Sequence, residues 1–493
     1  MEFNIRHGKI GGIEKGMRRT DPIADFLLAH AGKDPVSFHM PGHKGAAIFR
    51  RLGYGPVLDR LVDLDITESP GADNLFQTEG IIAQTMERYR ALYGSRQSYL
   101  LINGSSCGLI AAVMSSALRR KGLSKPNRII MARNCHKSIF NAVELTGSEP
   151  VYAYPEVVPE YGITGAVPVS EIRRCLAEAP DATAVILPSP NYYGICSEIR
   201  EIAEVVHAEG KVLIIDEAHG AHLSLMGTEQ ANALAAGKNG ADIVINSTHK
   251  TLCSFTQTAV ANIYGDLVDL EVFEDALQKM ESTSPSYVLM TSLDLNADIL
   301  ERFGEELMAG WRKELDWFYE AASRIPGLTV LQHPLLDDSK LDFSVRGLSG
   351  AALEDALMEK EIYPELVTGD LCMCMTGIGN THEHYERLLE ALAEIAERAE
   401  GSGVEERPRD AEALWNMRNL ERKTLSPHKK RVPLAEASGR VCARALIPYP
   451  PGIPAVCPGE VIPQEVVSAI LAMRARGENV MGVDADGCVL VGD

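Results

Sequence analysis

From about residue 75 onward the chain alternates two kinds of segment. Apolar side chains recur at helical spacing in EGIIAQTMERYRALYG and CGLIAAVMSSALRRKG, and SYLLIN between them reads as a short strand ended by Gly104. The rhythm continues through NRIIMAR, ATAVILPSP, REIAEVVHAEG, KVLIIDEAHG and ADIVINSTHK. Short apolar runs alternating with amphipathic helices predict an α/β domain of three layers, a mostly parallel sheet covered on both faces. Near residue 290 the pattern changes, and MTSLDLNADILERFGEELMAGWRKELDWFYEAASRI predicts one long helix or two with a bend. LTVLQ, KLDFSV, AALEDALMEK, LCMCMTG and HYERLLEALAEIAERA then predict a small α+β domain. EGSGVEERPRD, residues 400–410, has linker composition, and the proline-dense stretch ARALIPYPPGIPAVCPGE belongs to a further α+β unit. The expected division is therefore an N-terminal arm over 1–74, a large domain over 75–290, a small domain over 291–400 and a C-terminal domain over 401–493. In the arm, the amphipathic PIADFLLAHAGK is followed by FHMPGHKGA, whose Pro-Gly pair marks a turn.

Composition narrows the function classes. Among 493 residues, 48 Lys plus Arg against 68 Asp plus Glu give a formal charge of -20, which would repel nucleic-acid phosphates and anionic lipid faces. An apolar content of 45% with 24% charged residues is too apolar for a disordered chain. The ten cysteines are scattered with no CxxC pair, so neither a zinc site nor any other metal is expected. Cys372 and Cys374, two residues apart in DLCMCM, share one strand face and read as packing. MEFNIRHGKIGG lacks the apolar core of a secretory signal and no run of eighteen apolar residues occurs, which predicts a cytoplasmic protein.

The candidate chemistry lies at strand ends between residues 100 and 250. KVLII delivers Asp216 to one such end, and ADIVINSTHK delivers Ser247, His249 and Lys250 to another, where open parallel sheets bind ligands. A buried aspartate facing a ring nitrogen keeps that nitrogen protonated, and a desolvated lysine with a lowered pKa forms imines. Pyridoxal phosphate chemistry needs both groups from its protein. YLLINGSSCGLIAAV is strand, tight turn and helix, so backbone N–H groups and the hydroxyls of Ser105 and Ser106 would point at an anion. Taken singly, the serines are an N-cap, Asp216 a turn former and Lys250 a solvated surface lysine. Their succession, each after an apolar strand, points to one site.

These motifs resemble the ornithine/lysine/arginine decarboxylase family of pyridoxal-phosphate enzymes, which has the aspartate-aminotransferase type fold. The resemblance spans nearly the whole chain and rests on FHMPGHKGA, DITESPGADNLF, NGSSCG, ARNCHKSIFNA, DEAHGAH, NSTHKTLCSFTQ, STSPSYVLMTSLD and IPYPPGIPAVCPGE. It implies that Lys250 forms the imine with the cofactor, that Asp216 pairs with the pyridine nitrogen, that Ala218 packs beneath the ring and that His219 lies near the ring hydroxyl. It further implies that His136 stacks on the other face and that Ser105, Ser106, Ser247 and His249 hold the phosphate. STSPSY resembles the segment that reaches the phosphate of a neighbouring subunit, which makes Ser282 a candidate across an interface and a dimer the smallest active unit.

The implied reaction is decarboxylation of arginine, lysine or ornithine to an amine that feeds polyamine metabolism, with Lys250 or His249 returning the proton to Cα. A basic substrate needs an acceptor for its distal cation. Asp63, Asp65, Glu68 and Asp73 cluster in DLDITESPGAD, and Glu460, in a proline-stiffened loop, is the candidate distal contact. Two departures from the large bacterial members are expected. The PGHK motif already begins at Pro41, leaving no room for a receiver-like domain, so a homodimer or tetramer is expected in place of ring-shaped assemblies. His219 in DEAHGAH also stands where the larger members carry another residue type. The competing readings are an aminotransferase, whose carboxylate clamp could only be Arg346, and a non-catalytic regulator. The latter usually carries a basic DNA-binding unit, which the charge of -20 disfavours.

Overall fold

The computed structural model describes residues 22–118, 126–399, 414, 418–449 and 452–492; the expected linker at 400–410 and the first 21 residues lie outside these. Seven strands form the main sheet: β1 (Gln97–Leu101), β2 (Arg128–Ala132), β3 (Glu149–Ala153), β4 (Ala184–Pro188), β5 (Val212–Asp216), β6 (Ile243–Asn246) and β7 (Ala259–Ile263). Their spatial order is β1-β7-β6-β5-β4-β2-β3, with β7 antiparallel to both neighbours and every other pair parallel. The runs AVILP, VLIID and IVIN are buried at every residue, as central strands covered on both faces must be. β1 shows the three layers directly. Tyr99 and Leu101 join the core on one face, while Leu100 and Ile102 join the core on the other.

Helices α1 (Ile81–Tyr93), α2 (Gly104–Leu118), α3 (Lys137–Thr146) and α4 (Leu270–Met280) flank this sheet, with α4 packed on α2 and α2 on α3. Helix α5 (Tyr287–Ala322) is one uninterrupted helix of 36 residues, about 54 Å long at 1.5 Å per residue. Its first turns pack with α1 through Met290, Leu293 and Ala297, while Trp311, Leu315 and Phe318 belong to the core of the small domain. The expected boundary at residue 290 is thus spanned by one helix.

In the small domain β8 (Leu328–Val330), β9 (Lys340–Val345), β10 (Leu366–Thr368) and β11 (Leu371–Met375) form an antiparallel sheet in the order β8-β9-β11-β10. Leu341, Phe343 and Val345 of β9 enter the core behind it, together with Cys372 and Cys374. Lys340 and Asp342 alternate to the opposite face, in register with Met375 and Met373, which pack with Tyr193 and Ile195 of the large domain. Part of the N-terminal arm belongs to this unit as well. Val36–Ser37 pairs in parallel with Ile362–Tyr363, and Val36, Phe38, Ile48 and Phe49 join the same core.

The C-terminal region has its own core, in which Val432, Leu446, Val466, Ile470 and Val491 are buried. Among the described residues no helix is long and apolar enough to cross a membrane, and no cluster of potential metal ligands occurs.

Candidate active site

Register builds the floor of the site. Pro188 pairs with Asp216, and Asp216 with Ile245, so the carboxyl ends of β4, β5 and β6 lie side by side. Asp216 ends β5 nearly fully buried, its Oδ1 accepting the Ala218 N–H at 3.2 Å. Burial raises its pKa, against the opposing pull of the Lys250 ammonium and that N–H. Immediately past β6, Ser247 stands at the N-terminal end of the helical turn Thr248–Thr251 that carries His249 and Lys250, without a side-chain capping hydrogen bond. Burial lowers the Lys250 amine to about 8, assisted by Lys340 and opposed by Asp216. Its Nζ lies 2.9 Å from Nε2 of His219.

Two histidines are oriented by their own neighbourhoods. His136 is the N-cap of α3, where its Nδ1 accepts the Ser138 N–H at 3.3 Å, so the ring proton sits on Nε2. His249 Nδ1 lies 2.6 Å from the Thr258 carbonyl oxygen, an acceptor, so here the proton sits on Nδ1. Burial brings both to about 4, with Lys250 adding to each shift, so both are neutral at pH 7.

Ser105 and Ser106 stand, half-buried, in the first turn of α2, after Gly104 at φ +80. Fully buried Ser247 leaves its Oγ without a hydrogen-bond partner among the described residues. An unpartnered buried hydroxyl beside a helix start and a lysine fits a phosphorylated ligand that would complete it. Ala218 is buried one residue before His219, whose ring centroid lies 4.9 Å from that of Tyr192.

Backbones meet closely around the Lys250 turn. Gly42 N–H donates to the His249 carbonyl, Gly379 N–H to the Gly42 carbonyl and Ile378 N–H to the Thr251 carbonyl. A Cβ on Gly42 would stand 2.4 Å from the Thr251 carbonyl carbon, so the glycine of PGHK is required by that approach.

Other expectations meet a different geometry. Glu460 is 1% exposed and lies within the C-terminal domain, its carboxylate accepting from Arg133 at 3.3 Å and from the Cys457 N–H at 2.7 Å. Arg133, just past β2, also donates to the carbonyls of Pro454 and Ala455. The carboxylate expected to meet a substrate is thereby a tether between domains. Asp73 accepts N–H groups of Asn74, Glu79, Gly80 and Ile82 and so organises the start of α1, while Asp63, Asp65 and Glu68 are exposed. Arg346 is exposed on the turn after β9. Ser282 is exposed in the turn before α5, and the preceding Glu281 accepts the Ile102 N–H and the Cys107 S–H in the same chain.

Two residues that sequence reasoning passed over are drawn into the site. Lys340 is 1% exposed and lies with its Nζ 2.8 Å from His219 Nδ1. Glu365, before β10, accepts the Met40 N–H at 3.0 Å and the Tyr192 hydroxyl at 3.2 Å, and its charge acts on both Lys250 and Lys340. The signal for Lys340 was its place in KLDFSV, where Lys and Asp take the alternate positions of an apolar strand.

Comparison with known proteins agrees with this geometry. The family described as "Orn/Lys/Arg decarboxylase, major domain" matches residues 21–324, and "Orn/Lys/Arg decarboxylase, C-terminal domain" matches residues 408–486. The chain is 30% identical over 478 residues to an arginine decarboxylase of Bacillus subtilis, covering 94% of this chain and 95% of that one. It is 24% identical to the lysine decarboxylase LdcA of Pseudomonas aeruginosa, over 89% of this chain and 73% of that one. Among solved structures, the constitutive lysine decarboxylase of E. coli superposes with a TM-score of 0.73 at 19% identity, covering 96% of this chain and 82% of that one. Lysine decarboxylase A of Pseudomonas aeruginosa gives 0.74 at 20% identity, covering 96% and 80%.

Proposed function

Because the chain belongs to the Orn/Lys/Arg decarboxylase family, we propose that it uses pyridoxal 5'-phosphate to decarboxylate a basic amino acid, yielding the amine and carbon dioxide. The observation that carries the reading is the set at the ends of β5 and β6: buried Asp216, Lys250 with a depressed pKa, and the unpartnered Ser247 hydroxyl. Pyridoxal phosphate supplies, when bound, an electron sink for the pair left at Cα when carbon dioxide departs. The protein supplies the rest. Asp216 would hold positive charge on the cofactor's ring nitrogen. Ser105, Ser106, Ser247 and His249 would receive the phosphate, and Ala218 would pack against the ring. His136, fixed by Ser138, offers its Nε2 proton to the opposite side. Lys250 is the amine that would bond the cofactor and the group that would return a proton to Cα; His249, neutral with its one proton on Nδ1 toward Thr258, would serve that step only after taking up a second proton.

Glu365 supports a basic substrate. Besides Asp216, which would be taken up by the cofactor ring, it is a nearly buried carboxylate whose charge reaches Lys250, and it would meet a distal ammonium or guanidinium. Arginine comes first among candidate substrates because relatives named arginine decarboxylase match at 30% and 28% identity over 94% of this chain. On this reading the product amine would feed polyamine synthesis in the cytoplasm, and Ser282, exposed in its own chain, would serve at a shared site of a homodimer or tetramer. An aminotransferase reading has less support, because the small-domain cation turned toward the site is Lys340, not the exposed Arg346.

Incubating the holoenzyme separately with arginine, lysine and ornithine tests the reading. Release of carbon dioxide and one cognate amine is expected. A keto acid as product, or no product from any of the three, would overturn it.

A further inference from the structure

One imidazole lies between two lysines. His219 has Lys250 Nζ 2.9 Å from its Nε2 and Lys340 Nζ 2.8 Å from its Nδ1. Burial and the two flanking lysines hold the ring neutral. A neutral imidazole carries one N–H and one lone pair, so it accepts on one side only and donates on the other. An ammonium has no lone pair to receive that donation. With both bonds made, at most one of the two lysines is therefore an ammonium, and the ring proton faces whichever lysine is the free amine.

The surroundings decide which. Lys340 faces Asp337 and Glu365, together with Asp342, which burial raises to about 8, the Cys196 thiol, which burial also raises, and the opposing cation Lys44, and its backbone N–H donates to the Asp337 carbonyl. His222, at 3.1 Å, and the Ser339 N–H hold Asp337 as a carboxylate, below the ordinary range. Lys250 faces Asp216, the carboxylate that the cofactor's ring nitrogen would claim, with Glu365 and neutral His136 and His249 near it. We propose that Lys340 is a positioning residue: as the ammonium of the pair it donates to His219 Nδ1, fixes the ring proton on Nε2, and so favours the free-amine form of Lys250 that imine formation requires. The inference deepens the reading of the same site, and its test needs no turnover, so its failure and that of the decarboxylase assignment are distinguishable.

The test is trace acetylation of Lys250 by acetic anhydride in the full-length, cofactor-free protein, followed across pH by peptide mass spectrometry. In Lys340→Met the midpoint for Lys250 reactivity rises by about one pH unit, a roughly tenfold slower reaction at pH 7. In a His219→Leu background the same substitution changes that rate less than about twofold, because the link is gone. An unchanged midpoint in Lys340→Met, or an equal shift in both backgrounds, overturns the proposal. Should Lys340→Met not fold, Lys340→Arg carries the test. A guanidinium never accepts a hydrogen bond, so the Lys250 midpoint stays in place or falls, and a rise overturns the proposal.

Discussion

Two basic residues, Arg133 and Lys250, sit past the ends of strands in the same sheet, and the protein treats them in opposite ways. The guanidinium of Arg133 meets two carbonyls and the Glu460 carboxylate, so its charge is answered within the chain. Lys250 meets a neutral imidazole that Lys340 also claims, faces an aspartate raised by burial, and follows a hydroxyl, that of Ser247, with no hydrogen-bond partner among the described residues. The first arrangement welds the C-terminal domain to the rim of the large one. The second leaves buried polar groups unanswered among the described residues of the chain, which is the property on which the proposed active site rests.

Substitutions can separate the two roles. Lys250→Ala should cut amine release by about 10⁴-fold or more while leaving the thermal unfolding midpoint no lower, since a desolvated amine is removed. Asp216→Asn should reduce turnover by about 10²- to 10³-fold, read from initial rates at saturating cofactor. Arg133→Met should do the reverse, costing about 3 kcal/mol or more by stranding the Glu460 carboxylate in the interior. Activity per folded molecule should stay within a few-fold. Denaturant unfolding paired with rate measurements checks it, and a silent enzyme of native stability would erase the contrast.

The smallest expected effect is in pH dependence. The Lys250 value of about 8 lies below its ordinary 10.5. Below about pH 8 both folded and unfolded chains bind the proton there, and the penalty of charging a desolvated amine is felt in full. Between about 8 and 10.5 the unfolded chain binds more protons, so stability of the cofactor-free protein rises with pH. Lys250→Ala should make that rise shallower, measured as the difference between two denaturation series.

The large domain was legible because its strands are uninterrupted apolar runs, each ended by a residue with chemistry. KVLIID and IVINSTHK name both the strand and the residue at or past its end, whereas the roles proposed for His136 and Ala218 rest on motif likeness. Glu460 misled for a physical reason: proline-stiffened loops and acids say nothing about whether a neighbouring domain supplies an arginine. Lys340 and Glu365 were hidden for a related one. The alternation in KLDFSV assigns two faces but not which of them meets the large domain, and that follows only from pairing with β11. Long-range register is the part of the fold that a linear reading holds least well.

The three backbone hydrogen bonds around the Lys250 turn bring together residues near 42, 250 and 378, so the turn is braced by segments made at very different moments of translation. At about 5–20 residues per second, the ribosome delivers residue 250 well before Ile378 and Gly379, which complete its support. A nascent chain released before Ile378 would carry Lys250 without that bracing, so the full environment of this turn arrives late in synthesis, after most of the sheet beneath it has been made.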